Sequence, residues 1–149
     1  MYYGAANAMT CSYRIDKKHN LVIGIGKGII TKQVMIEYLQ AIMKDREFDP
    51  SYDFIEETKD VTELRLNSIE LQELAQVLIF NQESRRARVA ANDLSFAVSR
   101  MYEAYREQNQ TDNFCVFRNK EDALRWINEG RVLRNLPPIE LSFDPFASF

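Results

Sequence analysis

The sequence predicts an α/β fold: a mixed, mostly parallel five-stranded sheet that begins with an antiparallel hairpin and carries four helices. Three observations predict it. Short β-branched runs alternate with amphipathic segments of helix length, an order that calls for right-handed crossovers and parallel pairing. The first two runs, SYRID and LVIGIG, are separated only by the polar KKHN, the spacing of a hairpin. A chain of 149 residues, 46% hydrophobic and 28% charged, can bury one core without needing metal or disulfide support.

The elements follow in order. Residues 1–11 are small and polar, with two tyrosines, and are expected to form a loose N-terminus. Ser12–Asp16 alternates polar and apolar, as a strand with one wet face does, and Leu21–Gly26 is the second strand. Gly24, Gly26 and Gly28 spell G-I-G-K-G, not G-x-G-x-x-G, and follow the second strand of a hairpin; a twisted strand end turning into a helix explains them better than a dinucleotide site. Thr31 caps a helix whose inner stripe is Val34, Met35, Tyr38, Leu39 and Ile42, and Asp49-Pro50 marks where it must have ended. Tyr52–Thr58 is a third strand, more charged than a central parallel strand usually is. Asn67 with Glu70 forms a capping box ahead of a helix whose buried stripe is Leu71, Leu74, Ala75 and Leu78. Arg88–Ala91 is the fourth strand. Asn92 or Asp93 caps a long helix with the stripe Leu94, Ala97, Val98, Met101 and Tyr105. Asn113–Phe117 is the fifth strand. Asn119 caps the last helix, with Asp122 in its first turn and Ala123, Leu124 and Ile127 facing inward. This places the domain at 12–129. The segment 130–149 is an apolar C-terminal tail rich in leucine, phenylalanine and proline, which must pack on its own domain or on a partner subunit.

Composition excludes several functions. A net charge of −3 supplies no field to hold nucleic acid. No apolar run is long enough to span a bilayer, and the first residues carry no signal-peptide pattern. Cys11 and Cys115 are far apart and form no CxxC, which fits a reducing, cytoplasmic setting. One histidine and two cysteines are too few for a zinc site, so no metal and no cofactor is expected. No G-x-S-x-G elbow is present, and Glu56 and Glu57, adjacent in a strand, face opposite ways.

The polar residues just past the expected strand ends form the best candidate face, because ligands of open α/β sheets bind at the carboxyl ends of the strands. They are Asp60, Thr62, Ser68, Asn92, Asp93 and Arg118, with Ser95 beside them. Each also reads as a cap or turn residue, which is the commoner role. Arg85, Arg86 and Arg88 are candidates for an acidic ligand, with a solvated edge paired to carboxylates as the plainer alternative. Tyr102, Tyr105 and Trp126 either line an apolar ligand cavity or pack in the core.

Four strings, SYRIDKKHNLVIGIGKGIIT, DVTELRLNSIEL, RRARVAANDLSFAVSRMYEAY and VFRNKEDALRWI, together spanning about residues 12–128, resemble the STAS domain. The likeness is to its SpoIIAA-like group of small, mostly uncharacterised bacterial proteins. The resemblance implies a mixed sheet wound with helices, in agreement with the order above. It also implies that Ser68 stands nearest to the serine phosphorylated in anti-sigma-factor antagonists. Asn67, Ile69 and Glu70 replace the acidic residue, second serine and glycine of that motif, and alignment needs a one-residue shift. The expectation is a non-enzymatic regulatory or protein-interaction module acting as a homodimer, with the tail as one route to dimerisation. The alternative is a carrier or sensor of a small anionic or lipid-like ligand bound near the strand ends.

Overall fold

The computed structural model describes residues 2–4, 10–109, 113–147 and 149. In chain order these form β1 (Tyr2–Gly4), β2 (Cys11–Asp16), β3 (Leu21–Thr31), α1 (Lys32–Lys44), β4 (Asp53–Arg65), α2 (Ser68–Leu74), β5 (Arg85–Val89), α3 (Asp93–Asn109), β6 (Asn113–Phe117) and α4 (Lys120–Leu133). The strands lie side by side in their order along the chain. β1, β2 and β3 pair antiparallel; β3 to β6 pair parallel. The fold class is as expected, with one strand more: Tyr2–Gly4 adds an edge to a segment read as loose, and Cys11 is a buried strand residue.

Period-two alternation sorts the strand side chains onto two faces. Leu21, Ile23, Ile55, Ala87 and Val89 meet Ala123, Leu124 and Ile127 of α4. On the opposite face Val22, Phe54 and Phe114 meet α1, α2 and α3. The tail packs on the α4 layer of its own chain. Ile139 is buried in the α4 layer with Phe143, Phe146 and Phe149 against it. The Asn128 side chain donates to the Ile139 carbonyl at 2.8 Å and accepts from its N–H at 2.7 Å, so that side chain holds the tail as a neighbouring strand would. His19, in the polar turn between β2 and β3, stacks on Phe143 and pairs with Asp16. α4 runs past the expected boundary at Gly130 to Leu133.

The caps read from the sequence are present, Asn92 among them, which accepts from the Ser95 N–H. Thr31 accepts from the Val34 N–H, Asn67 and Glu70 close a reciprocal capping box, and Asn119 accepts from the Asp122 N–H. Other elements differ. β3 does not stop at Gly26; it continues to Thr31 through register shifts after Ile25 and after Gly28, whose φ of 71° suits only glycine without strain. Gly24 is needed for another reason, since a Cβ there would collide with the Tyr38 hydroxyl. β4 likewise continues past Thr58 to Arg65, paired with the extended β3. α2 is one turn shorter than expected. The chain leaves it after Leu74, so that Phe80 can stack on Phe54 and meet Phe48 edge-on; Leu78 is then 54% exposed instead of buried.

α3 is rotated relative to its apolar period. Its buried residues are Ser95, Ser99, Tyr102, Glu103 and Arg106, while Leu94 and Met101 are 49% and 45% exposed. Polar partners explain the choice. Arg88 donates to Ser99, the Val116 N–H of β6 donates to the Glu103 carboxylate at 2.8 Å, and Arg106 donates to the Val77 carbonyl and to Tyr102.

At the start of β4, Asp53 is 1% exposed. Its carboxylate accepts from Arg131 Nε at 2.9 Å, from Arg134 Nη2 at 2.8 Å and from the Arg85 N–H at 2.8 Å. Arg131 also donates to the carbonyls of His19 and Asn20. Removing one member of a buried ionic cluster leaves the others desolvated and unpaired. Asp53→Asn is therefore expected to lower unfolding free energy by about 3–5 kcal/mol. Urea denaturation followed by circular dichroism checks this; a loss below about 1 kcal/mol, the scale of a surface pair, would contradict the role.

Candidate functional site

The candidate site is a cavity between the sheet and α1, α2 and α3, on the side toward which the parallel strands run. Its position follows from the long pairing of β3 and β4, which extends beyond β5 and leaves space under the helices. The walls are aliphatic: Ile30, Met35, Val61, Leu64, Leu66, Leu71, Leu74 and Val98. The empty space is about 590 Å³ with its mouth included, but only about 50 Å³ is open to the centres of water-sized molecules. Since one water centre needs roughly 10–15 Å³, the cavity is a narrow slot for a slender group.

One end of this slot is polar. Glu56 of β4 and Arg88 of β5 stand opposite each other in register, on the face of the sheet that looks at the helices. Arg88 Nε and Nη2 lie 2.7 and 2.6 Å from Glu56 Oε1, and Arg88 Nη1 donates to Ser99 Oγ at 3.3 Å. The Tyr38 hydroxyl donates to Glu56 Oε2 over a long 3.5 Å. The Arg88 guanidinium also lies over the Tyr102 and Phe114 rings, which shields it from water. Cys11 completes this end.

Electrostatics keeps the two weak acids here protonated. Burial, reinforced by the Glu56 charge, pushes the Cys11 thiol up to about 12. The same two causes, in the same order, raise Tyr38 well above the usual phenol range. Neither group can serve as a nucleophile or base near neutral pH. Among the described residues no group of three His, Cys, Asp or Glu is placed to hold a metal ion.

The sequence-derived candidates fare unequally. Arg88 and Tyr102 line the cavity, as does Ser95. Asn92 caps α3 by accepting from the Ser95 N–H at 2.8 Å, and its amide reaches the Thr58 and Lys59 carbonyls. Asp60 and Thr62 are not past a strand end; they are exposed positions within β4. Ser68 is exposed in the first turn of α2 and does not line the cavity. Asp93 and Arg118 pair at 2.9 Å on the surface, with Arg118 stacked over Phe96. The three arginines do not form a solvated edge. Arg86 is buried among the Phe54, Phe80 and Phe114 rings. Arg85 turns to the other face, where it donates to the Trp126 carbonyl and lies over that indole. Trp126 therefore belongs to the α4 layer, and Tyr105 packs beside the cluster of Leu71, Leu74 and Tyr102.

Sequence reasoning missed Cys11, Tyr38 and Ser99 as site residues, and it set Glu56 aside. A signal for Glu56 existed. It shares the period-two face of Phe54, an apolar position, and β5 carries an arginine on the matching face. Opposite charges at matching core positions of adjacent strands are costly unless paired, so they predict each other.

No protein-family model matches the chain, and no curated protein does. Among solved structures it is similar to an uncharacterised protein of the DUF3478 family with a SpoIIAA-like fold from Shewanella loihica. The TM-score is 0.52 at 17% identity, over 79% of this chain and 94% of that one. The chain has a SpoIIAA-like fold. Among the described residues no helix is long and apolar enough to cross a membrane.

The thiol environments give a direct check. Burial also raises Cys115 to about 11. A thiolate fraction set by such values makes both cysteines slow nucleophiles. Alkylation by iodoacetamide at pH 8 is expected to run at least about a hundredfold slower in the folded protein than in urea. Equal rates would show that burial does not raise the two thiols in the fold.

Proposed function

We propose that the chain is a non-enzymatic binding module that takes a small amphipathic ligand into the cavity, as a carrier or sensor. The observation that carries this reading is the combination of an aliphatic slot with a polar end built from Glu56, Arg88, Tyr38 and Ser99. Ligand pockets have this composition: mostly apolar walls and a few convergent polar groups that fix orientation. Binding without turnover is favoured because the Cys11 thiol and Tyr38 phenol are held protonated, and the carboxylate is already engaged by a guanidinium. Both cysteines are free, in keeping with a reducing, cytoplasmic setting.

Native mass spectrometry of the freshly purified full chain tests this. An adduct of small-molecule mass is expected, and Val98→Trp, which fills the slot from α3, is expected to abolish it. Absence of any adduct on the unsubstituted chain would count against the reading, as would an adduct that Val98→Trp leaves in place.

A second reading, as a regulatory module that works by contact with another protein or a second copy of itself, is favoured by α3. Leu94 and Met101 are two turns apart on its outer surface and share a face. Light scattering coupled to size exclusion at high micromolar concentration is expected to give a dimer, converted to monomer by Leu94→Glu with Met101→Lys. A monomeric unsubstituted chain would remove the homodimer.

A further inference from the structure

We propose that the ligand of the cavity carries an uncharged head that both donates and accepts a hydrogen bond, as an alcohol does, and that carboxylate and phosphate heads are rejected. This rests on the cavity reading above and narrows it to a chemical class.

Charge and free valence at the polar end set this preference. The charged side chains that line the cavity are one carboxylate and one guanidinium, Glu56 and Arg88, and they are already paired. An arriving anion would have to share Arg88 with Glu56 or draw it away. Either way two negative charges stand side by side on one guanidinium in a slot walled by aliphatic groups, where like charges are not screened. An arriving cation would in the same way crowd a second positive charge against Arg88 around one carboxylate.

A neutral head meets open positions instead. The Arg88 Nε hydrogen bond and the Nη2 ionic contact both go to Glu56 Oε1. Among the described residues Oε2 receives only the 3.5 Å contact from Tyr38, and a carboxylate oxygen accepts two bonds. It can take the proton of a ligand hydroxyl. Arg88 has five N–H donors. The Nε hydrogen serves Glu56 and one hydrogen of Nη1 serves Ser99, while Nη2 stands in ionic contact with Glu56 Oε1 at 2.6 Å. Hydrogens on both Nη atoms are left to donate to the ligand oxygen. The raised Tyr38 phenol stays protonated, so it adds no third charge. A hydroxyl therefore completes both members of the pair without separating them, and the aliphatic walls receive the chain.

The experiment is a matched pair of probes, 1-octanol and octanoate, titrated calorimetrically into the full chain at pH 8, where octanoate is ionised. Octanol is expected to bind at least tenfold more tightly. Glu56→Gln removes the negative charge and frees Arg88, so it is expected to reverse the order in favour of octanoate. Octanoate binding as tightly as octanol, or more tightly, to the unsubstituted chain would overturn the neutral-head assignment while leaving the cavity a ligand site. Failure of both probes to bind, with no adduct in native mass spectrometry, would overturn the cavity reading and this inference with it. The comparison on the unsubstituted chain stands even if Glu56→Gln does not fold.

Discussion

The Asp53 carboxylate is the constraint on which the rest of the structure depends. Putting a carboxylate at 1% exposure costs several kcal/mol, and here two guanidiniums and a backbone N–H offset that cost. Its partners come from β5 and α4, and Arg131 extends the cluster to the turn between β2 and β3. One side chain thus fixes where β4 starts relative to both neighbouring strands and to the helix behind them. Register follows. With Asp53 opposite Leu21, Glu56 falls opposite Arg88 on the helix-covered face. A slip of one residue would move Glu56 into the α4 layer and Ile55 into the cavity, because alternate residues face opposite ways.

The same strand therefore carries two buried carboxylates with different work to do, and saturation separates them. Both oxygens of Asp53 take bonds at 2.8–2.9 Å, so nothing is left for a ligand. Glu56 is 6% exposed, yet its short contacts fall on one oxygen, and among the described residues the other has only a long one. The first is a staple and the second is an incomplete coordination shell facing a slot. Buried charge by itself would not distinguish a structural cluster from a binding site; the count of occupied lone pairs does.

What the sequence disclosed and what it withheld divide along the range of the interactions. The caps at Thr31, Asn67 and Asn119 were legible because each is closed by a residue three positions away. The hairpin and the helix–strand alternation were legible for the same reason. The candidate site was legible only at Arg88, Ser95 and Tyr102. The inner face of α3 was misread because helical period weighs apolar area alone. Leu94 and Met101 satisfy that period, but Ser99 and Glu103 face inward to meet Arg88 and the Val116 N–H, groups 11 and 13 residues away in sequence. Asp60 and Thr62 were misplaced because nothing local announces that β3 and β4 go on pairing to Thr31 and Arg65. The tail left two outcomes open in the sequence; in the structure Asn128 and the buried Ile139 hold it against its own α4.

The polar face of α3 also bears on how the chain meets other molecules. β6 is an edge strand, and an unpaired edge N–H invites strand addition from another chain. Glu103 accepts from one such N–H, at Val116, and Arg100 pairs with that carboxylate from the solvent side. The edge is blunted there by a charge pair that an incoming strand would have to displace. The tail aromatics are already packed against α4. What α3 gives up in return is apolar burial, since turning Ser99 and Glu103 inward turns Leu94 and Met101 outward. The helix that roofs the cavity is thus the helix that offers an apolar surface, and one rotation about its axis accounts for both.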